Sequence, residues 1–284
     1  MLDQLVPLDL YFRKQLKNGH LMNPLYERVQ YTSNIVPRLY LMITVGSSLI
    51  KCPNEMSPKV LLKDLLDACK GVQHPTRGLF LRGYLIQMLK DKLPDKENGL
   101  LVSGTTLDDP IDFILSNFKE MGNLWDRLKM KAGVSLDQRE KERLELSVIV
   151  GNNLVKLGRL EGVDINLYGE KILPRILDII LGSKEGQSQQ YLMECIIQAF
   201  PDEFHLATLE LLCSSCLKLQ AQANVRIIFT ALMKRLATFV KESPDSFKSV
   251  DVVQILAKYT SQILNVYYHN IFSLPPLFSL SLSL

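Results

Sequence analysis

Apolar positions along this chain recur at steps of three and four, the spacing that places side chains on one face of a helix. Leu5, Leu8, Phe12 and Leu16 draw one such stripe over 2–17, and Asn18-Gly19 then stops it as a helix C-terminus does. Ile111, Ile114, Leu115, Phe118, Met121, Leu124, Trp125 and Leu128 draw a longer one. Leu144, Val148, Leu154 and Leu157 continue the pattern, with Gly151 and Gly158 each weakening it by about 1 kcal/mol relative to alanine. Further helices are predicted over 164–181, 188–200, 203–217, 221–240 and 249–271. Strand-like alternation is rare outside the closing Ser-Leu repeat, so the pattern predicts an all-α chain.

Helix starts carry a repeated chemistry. Ser57-Pro58 and Ser243-Pro244 each pair an N-cap residue with proline at the first helical position, His74-Pro75 places a proline in the same way, and Ser135 with Gln138 fits a capping box. Polar turns separate the helices, and the longest polar connection, 94–106, is expected to be a surface loop. Helices too numerous for a four-helix bundle, several of them apolar on two sides, predict an α-solenoid of stacked antiparallel hairpins, HEAT- or armadillo-like. One solenoid domain is expected over 1–271, followed by a low-complexity tail over 272–284.

Composition narrows the functions. Hydrophobic residues make up 47% of the chain and charged residues 22%, with a net charge of +3, and no basic block stands apart from acids to mark nucleic-acid binding. Five cysteines without a secretory leader read as reduced thiols of a cytosolic protein. The uncharged run 39–50 falls far short of the ~20 residues that span a bilayer, and a tail anchor in the uncharged end after Lys258 is the minor alternative, since its paired prolines and repeated serines suit a membrane helix poorly. The run Asp137–Arg143 alternates in sign and reads as a solvated helix face.

The stretch 24–50 stands apart. From Asn34 to Gly46 it is apolar on nearly every side, which requires cover by other elements, and Pro37 is expected to kink or divide it. Arg38 is the exception within it: a guanidinium there must be paired, reach the surface along its stem, or await a partner's carboxylate.

Three strings carry a resemblance: PRLYL at Pro37, Arg38, Leu39, Tyr40 and Leu41; GVQHPTRGLFLR from Gly71 to Arg82; and YLMECIIQAFPDEFHL from Tyr191 to Leu206. Their wording and order resemble the large scaffold subunit of retromer, the complex that retrieves cargo from endosomes, over roughly 25–236. The resemblance implies a non-enzymatic α-solenoid whose PRLYL helix grips the complex's arrestin-like subunit, with Arg38 as the hot spot. It also implies that the arm faces sorting nexins, cargo tails and a small endosomal GTPase. Arg77 and Arg82 are further candidates, because core packing does not account for them. Only the family's amino-terminal part is matched, so the site for its phosphoesterase-fold subunit is expected to be absent. The implied location is cytoplasmic, peripheral on the endosomal or prevacuolar membrane.

Catalysis and metal binding have weaker support in the residues. Cys213-x-x-Cys216, with Cys195 and His205, is the sharpest metal candidate, but the two cysteines fall inside a helical stretch and no second ligand pair stands at zinc spacing. His74 and His205 have no nucleophile at a recognisable spacing. The expectation is therefore no enzyme, no cofactor and no metal. The alternative is a helical-repeat adaptor of another transport or assembly complex.

Overall fold

The computed structural model describes residues 2–96, 105–128, 136–242 and 252–272. Among them the chain is all-helical and carries no strand. Helix α1 covers Leu2–Lys17, α2 Asn23–Val29, α3 Ile35–Leu49, α4 Pro58–Lys70, α5 Pro75–Met88, α6 Asp108–Arg127 and α7 Leu136–Gly158. A short α8 (Ile165–Leu167) leads through a π-helical turn, Tyr168–Ile172, into α9 (Leu173–Gly182). Then follow α10 (Gly186–Ala199), α11 (Asp202–Ala207), α12 (Leu209–Cys216), α13 (Val225–Glu242) and α14 (Val252–Phe272).

The helices form two layers, as in an α-solenoid. In one layer α3, α5, α7, α10 and α13 pack in succession; in the other, α4, α6, α9, α11, α12 and α14 follow one another, while α1 and α2 close the end against α3. Side-chain bonds give the directions. Arg127 to Gln73 and Arg82 to Asn117 make α5 and α6 antiparallel, and Trp125 to the Arg143 carbonyl with Asn117 to Asn153 does the same for α6 and α7. Consequently α5 and α7 run parallel. Tyr40 beside Tyr84 and Ser47 bonded to Lys92 make α3 parallel to α5 as well. A single apolar core runs the length of the stack, from Phe12 to Tyr259.

Several boundaries differ from expectation for physical reasons. The stretch 24–50 breaks ahead of Pro37, at 30–34, and Pro37 lies in the first turn of α3, where a missing amide hydrogen costs nothing. Pro174 lacks the amide hydrogen for the 164–181 helix and would clash with the carbonyl of Glu170; the π turn just before it opens the ladder there. The Asp164 side chain caps that segment, its Oδ1 accepting from the Leu167 amide at 2.7 Å. Thr208 splits 203–217 in two, its backbone non-helical and its hydroxyl bonded back to the Phe204 carbonyl at 2.8 Å.

Arg143 is a correction of another kind. It does not join the solvated face of α7 but turns inward, pairing with Glu185, donating to the Ser188 hydroxyl at 2.8 Å and lying 5.6 Å over the Trp125 ring. The start of the loop and Ser57-Pro58 are described, and Ser57 makes no side-chain cap. Ser135, Ser243-Pro244, the middle of the 94–106 connection (97–104) and the tail beyond Phe272 lie outside the described residues. No helix among the described residues is long and apolar enough to cross a membrane.

Candidate partner-binding edge

Helix α3 is surrounded by α1, α2, α4 and α5, which accounts for an apolar helix buried almost all round. Gly46 makes part of this possible: a Cβ there would sit 3.1 Å from a Leu65 methyl, so α4 approaches closely. Only the first turn of α3 emerges. Ile35 and Pro37 are exposed there, Arg38 is half-buried, and the preceding break brings Tyr31 out to 89% exposure.

The Arg38 guanidinium is held, not sealed in. Nη1 donates to the carbonyls of Gln30 at 3.3 Å and Thr32 at 3.4 Å, so the side chain folds back over the break between α2 and α3. No described carboxylate forms an ion pair with it. Two long bonds to carbonyl oxygens leave most of its donor fork open, since a guanidinium carries five donors.

The other residues of the motif separate by helical phase. Leu39 and Tyr40 are buried; Tyr40 packs its ring 5.1 Å from that of Tyr84, whose hydroxyl meets Thr44 Oγ1 at 2.8 Å. Leu41 is half-buried. Arg77 is exposed in the first turn of α5, where His74 Nδ1 accepts from its amide at 3.4 Å. Because α3 and α5 run parallel, Arg38 and Arg77 lie at the same edge of the solenoid, and the carboxy-terminal Arg127 of α6 reaches that edge to donate to Gln73.

Arg82 is not on that edge. It is fully buried between α5 and α6, with Nη1 3.4 Å from Asn117 Oδ1 and Nε without a partner, and burial pulls its pKa below the usual arginine value. Tyr31 and Ile35 were missed by sequence reasoning as exposed neighbours of Arg38. The available signal was an apolar residue on each side of the Thr32-Ser33-Asn34 break.

The thiol and imidazole candidates lie inside the helices. Cys213 and Cys216 are buried on α12, and burial pushes the Cys213 thiol up to about 12 and Cys216 higher still. His205 is fully buried, with Nε2 donating to the Ile197 carbonyl at 3.1 Å. Among the described residues no three His, Cys, Asp or Glu side chains gather as a metal site.

An all-α stack of antiparallel helices in two layers places the chain in the α-solenoid class. The chain belongs to the Vps35 family, whose model, described as vacuolar protein sorting-associated protein 35, matches residues 1–282. It is 45% identical to vacuolar protein sorting-associated protein 35B of Arabidopsis thaliana over 92% of this chain and 33% of that protein. It is 47% identical to vacuolar protein sorting-associated protein 35 of Dictyostelium discoideum, over 88% of this chain and 32% of that one, and 42% identical to the Schizosaccharomyces pombe protein of the same name, over 82% and 28%. The chain thus spans about a third of the length of the curated relatives it matches.

Proposed function

We propose that this chain is the partner-holding arm of a retromer-type scaffold that works in vacuolar protein sorting without catalysing a reaction. The arrestin-like subunit docks on the edge formed by Arg38, Pro37 and Arg77, with Tyr31 and Ile35 supplying the apolar surface around the charge. Arg38 carries the reading. A half-buried guanidinium with two long bonds to carbonyls and no carboxylate partner is poised for a bidentate acid from another chain. Partly desolvated arginines beside exposed apolar side chains are the usual centres of binding energy.

Leu39, Tyr40 and Leu41 set the position of Arg38 from within, and Arg82 contributes through the interior. Sorting nexins, cargo tails and a small endosomal GTPase meet the same arm, which works from the cytoplasm on the endosomal or prevacuolar membrane through these partners. The test is capture of the arrestin-like subunit by the purified chain. Arg38→Glu is expected to abolish capture while the helical circular-dichroism signal is unchanged. Unimpaired capture by Arg38→Glu would overturn the reading.

A further inference from the structure

A groove of about 370 Å³ opens between α5 and α7, away from the Arg38 edge. Its floor is Gly83, where a Cβ would lie 2.4 Å from Ile149 Cγ2; the two helices touch there, and their side chains rise on either side. Phe80, 49% exposed, and Val155 form the apolar walls. On α7 the lining extends into a solvent-facing stripe, since Leu144, Val148, Asn152, Val155 and Arg159 follow steps of four, four, three and four. Leu144 and Val148 are both exposed, so the stripe is apolar along most of its length.

At the other end, where parallel α5 and α7 both terminate, stand Lys90, Lys156 and Arg159. None of the three is in an ion pair with a described residue. Lys156 is half-buried; burial lowers its pKa, Lys90 and Arg159 add to the fall, and Asp91 and Asp95, which face it, oppose it. Three cations against these two acids leave this end of the groove electropositive.

We propose that this groove docks a linear peptide segment carrying one bulky apolar side chain beside a cluster of acidic residues. The anchor enters between Phe80, Ile149 and Val155, a space suited to one indole or phenyl ring with its flanking backbone. The acids meet Lys90, Lys156 and Arg159, where a carboxylate compensates the half-buried ammonium. This site is separate from the arrestin-like subunit's edge, and neither reading depends on the other.

The probe is a fluorescein-labelled peptide joining one tryptophan to Asp-Glu-Asp across a glycine, together with its reversed sequence, titrated by anisotropy against the purified chain. Saturable binding of at least one order is expected, weakening as salt screens the charges. Phe80→Asp and the pair Lys90→Glu/Arg159→Glu are each expected to weaken it by about tenfold or more, as is replacing the peptide acids by Asn-Gln-Asn. All three positions are exposed, so helicity and capture of the arrestin-like subunit are expected to be unchanged. No saturable binding, or binding that the groove variants do not alter, would overturn the proposal. So would sedimentation with anionic vesicles, or concentration-dependent self-association, that these variants abolish while the peptide fails to bind.

Discussion

The side-chain amide of Asn117 donates to Oδ1 of Asn153 at 2.9 Å, with both residues fully buried. Asn117 also accepts from Arg82, and Asn153 passes the chain on to the Val150 carbonyl at 2.9 Å. A polar line therefore crosses α5, α6 and α7 through the middle of the apolar stack. It explains how a motif arginine can be interior: its guanidinium donates to an oriented amide, and the Glu120 carboxylate acts on it from beyond ion-pair distance.

The cost of breaking that line depends on which end is cut. Asn117→Leu removes the amide oxygen to which the buried Arg82 Nη1 donates and is expected to destabilise by about 3 kcal/mol. Arg82→Met removes the charge at similar volume and is expected to cost less, within about 1.5 kcal/mol. The double variant should then be more stable than Asn117→Leu alone. Urea unfolding of the three proteins measures this. A double variant as weak as the sum of the singles would mean that Arg82 and Asn117 are not coupled.

Glycines within helices give opposite predictions according to what faces them. At Gly158 a Cβ would lie 2.2 Å from the Ala199 carbonyl oxygen, because α7 and α10 meet backbone to backbone there. Gly158→Ala is expected to destabilise by about 1–3 kcal/mol. Gly122 of α6 has nothing within 4 Å of its added Cβ, so Gly122→Ala is expected to stabilise by up to about 1 kcal/mol. Thermal melts shifting in opposite directions check both; a rise for Gly158→Ala would contradict the backbone contact there, and a fall for Gly122→Ala would contradict the open space at Gly122.

His205 gives the interior a pH dependence. Burial, with the Arg235 guanidinium nearby, lowers its pKa from 6.5 to about 4, although Asp202 and the Ile197 and Phe200 carbonyls oppose the shift. The unfolded chain therefore binds a proton between those values that the folded chain does not. Stability from this group is complete above pH 6.5, falls as the pH drops toward 4, and is level below; linkage makes the loss about 3 kcal/mol. His205→Gln keeps a donor for the Ile197 carbonyl and cannot titrate. Its urea midpoint is expected to fall less than the wild type's between pH ~7 and ~4.5. Equal slopes would show that His205 takes up its proton without loss of the fold.

The fold was legible in the sequence wherever one stripe of apolar residues sufficed. Helix α1 ends where Asn18-Gly19 ends it, and Gly19 has the left-handed φ of 80° that such a stop requires. Two breaks escaped the stripe pattern because their causes are local and interrupt the backbone without interrupting the apolar spacing: Pro174, behind the π turn, and Thr208, whose hydroxyl bonds back to the Phe204 carbonyl. Gly151 and Gly158 looked like weak points of α7 and prove to be its contacts with α10, Gly151 facing Tyr191 and Cys195. Arg143 shows a limit for charge, because alternating signs describe a solvated face only if no acid of a packed neighbouring helix meets it, and here Glu185 at the start of α10 does. Among the candidate arginines, Arg38 and Arg77 emerge at the surface edge, whereas Arg82 lies in the interior; residue type alone does not distinguish a cation that reaches water from one enclosed by α6.

The PRLYL segment itself can be divided by experiment into surface and core. Leu39 and Tyr40 are both buried, and truncating either leaves a cavity against α5 and its neighbours, so Leu39→Ala and Tyr40→Ala are expected to destabilise by about 3–4 kcal/mol. Arg38→Ala removes two long hydrogen bonds at a half-exposed position and is expected to change stability by less than about 1 kcal/mol. Binding should rank differently. At a temperature where all three variants remain folded, capture of the arrestin-like subunit is expected to be lost in Arg38→Ala and largely retained in the two core variants. Unfolding midpoints and capture measured on the same preparations separate the two effects. If Tyr40→Ala loses capture while folded and Arg38→Ala retains it, the contact is made through the aromatic side chain and not through the guanidinium.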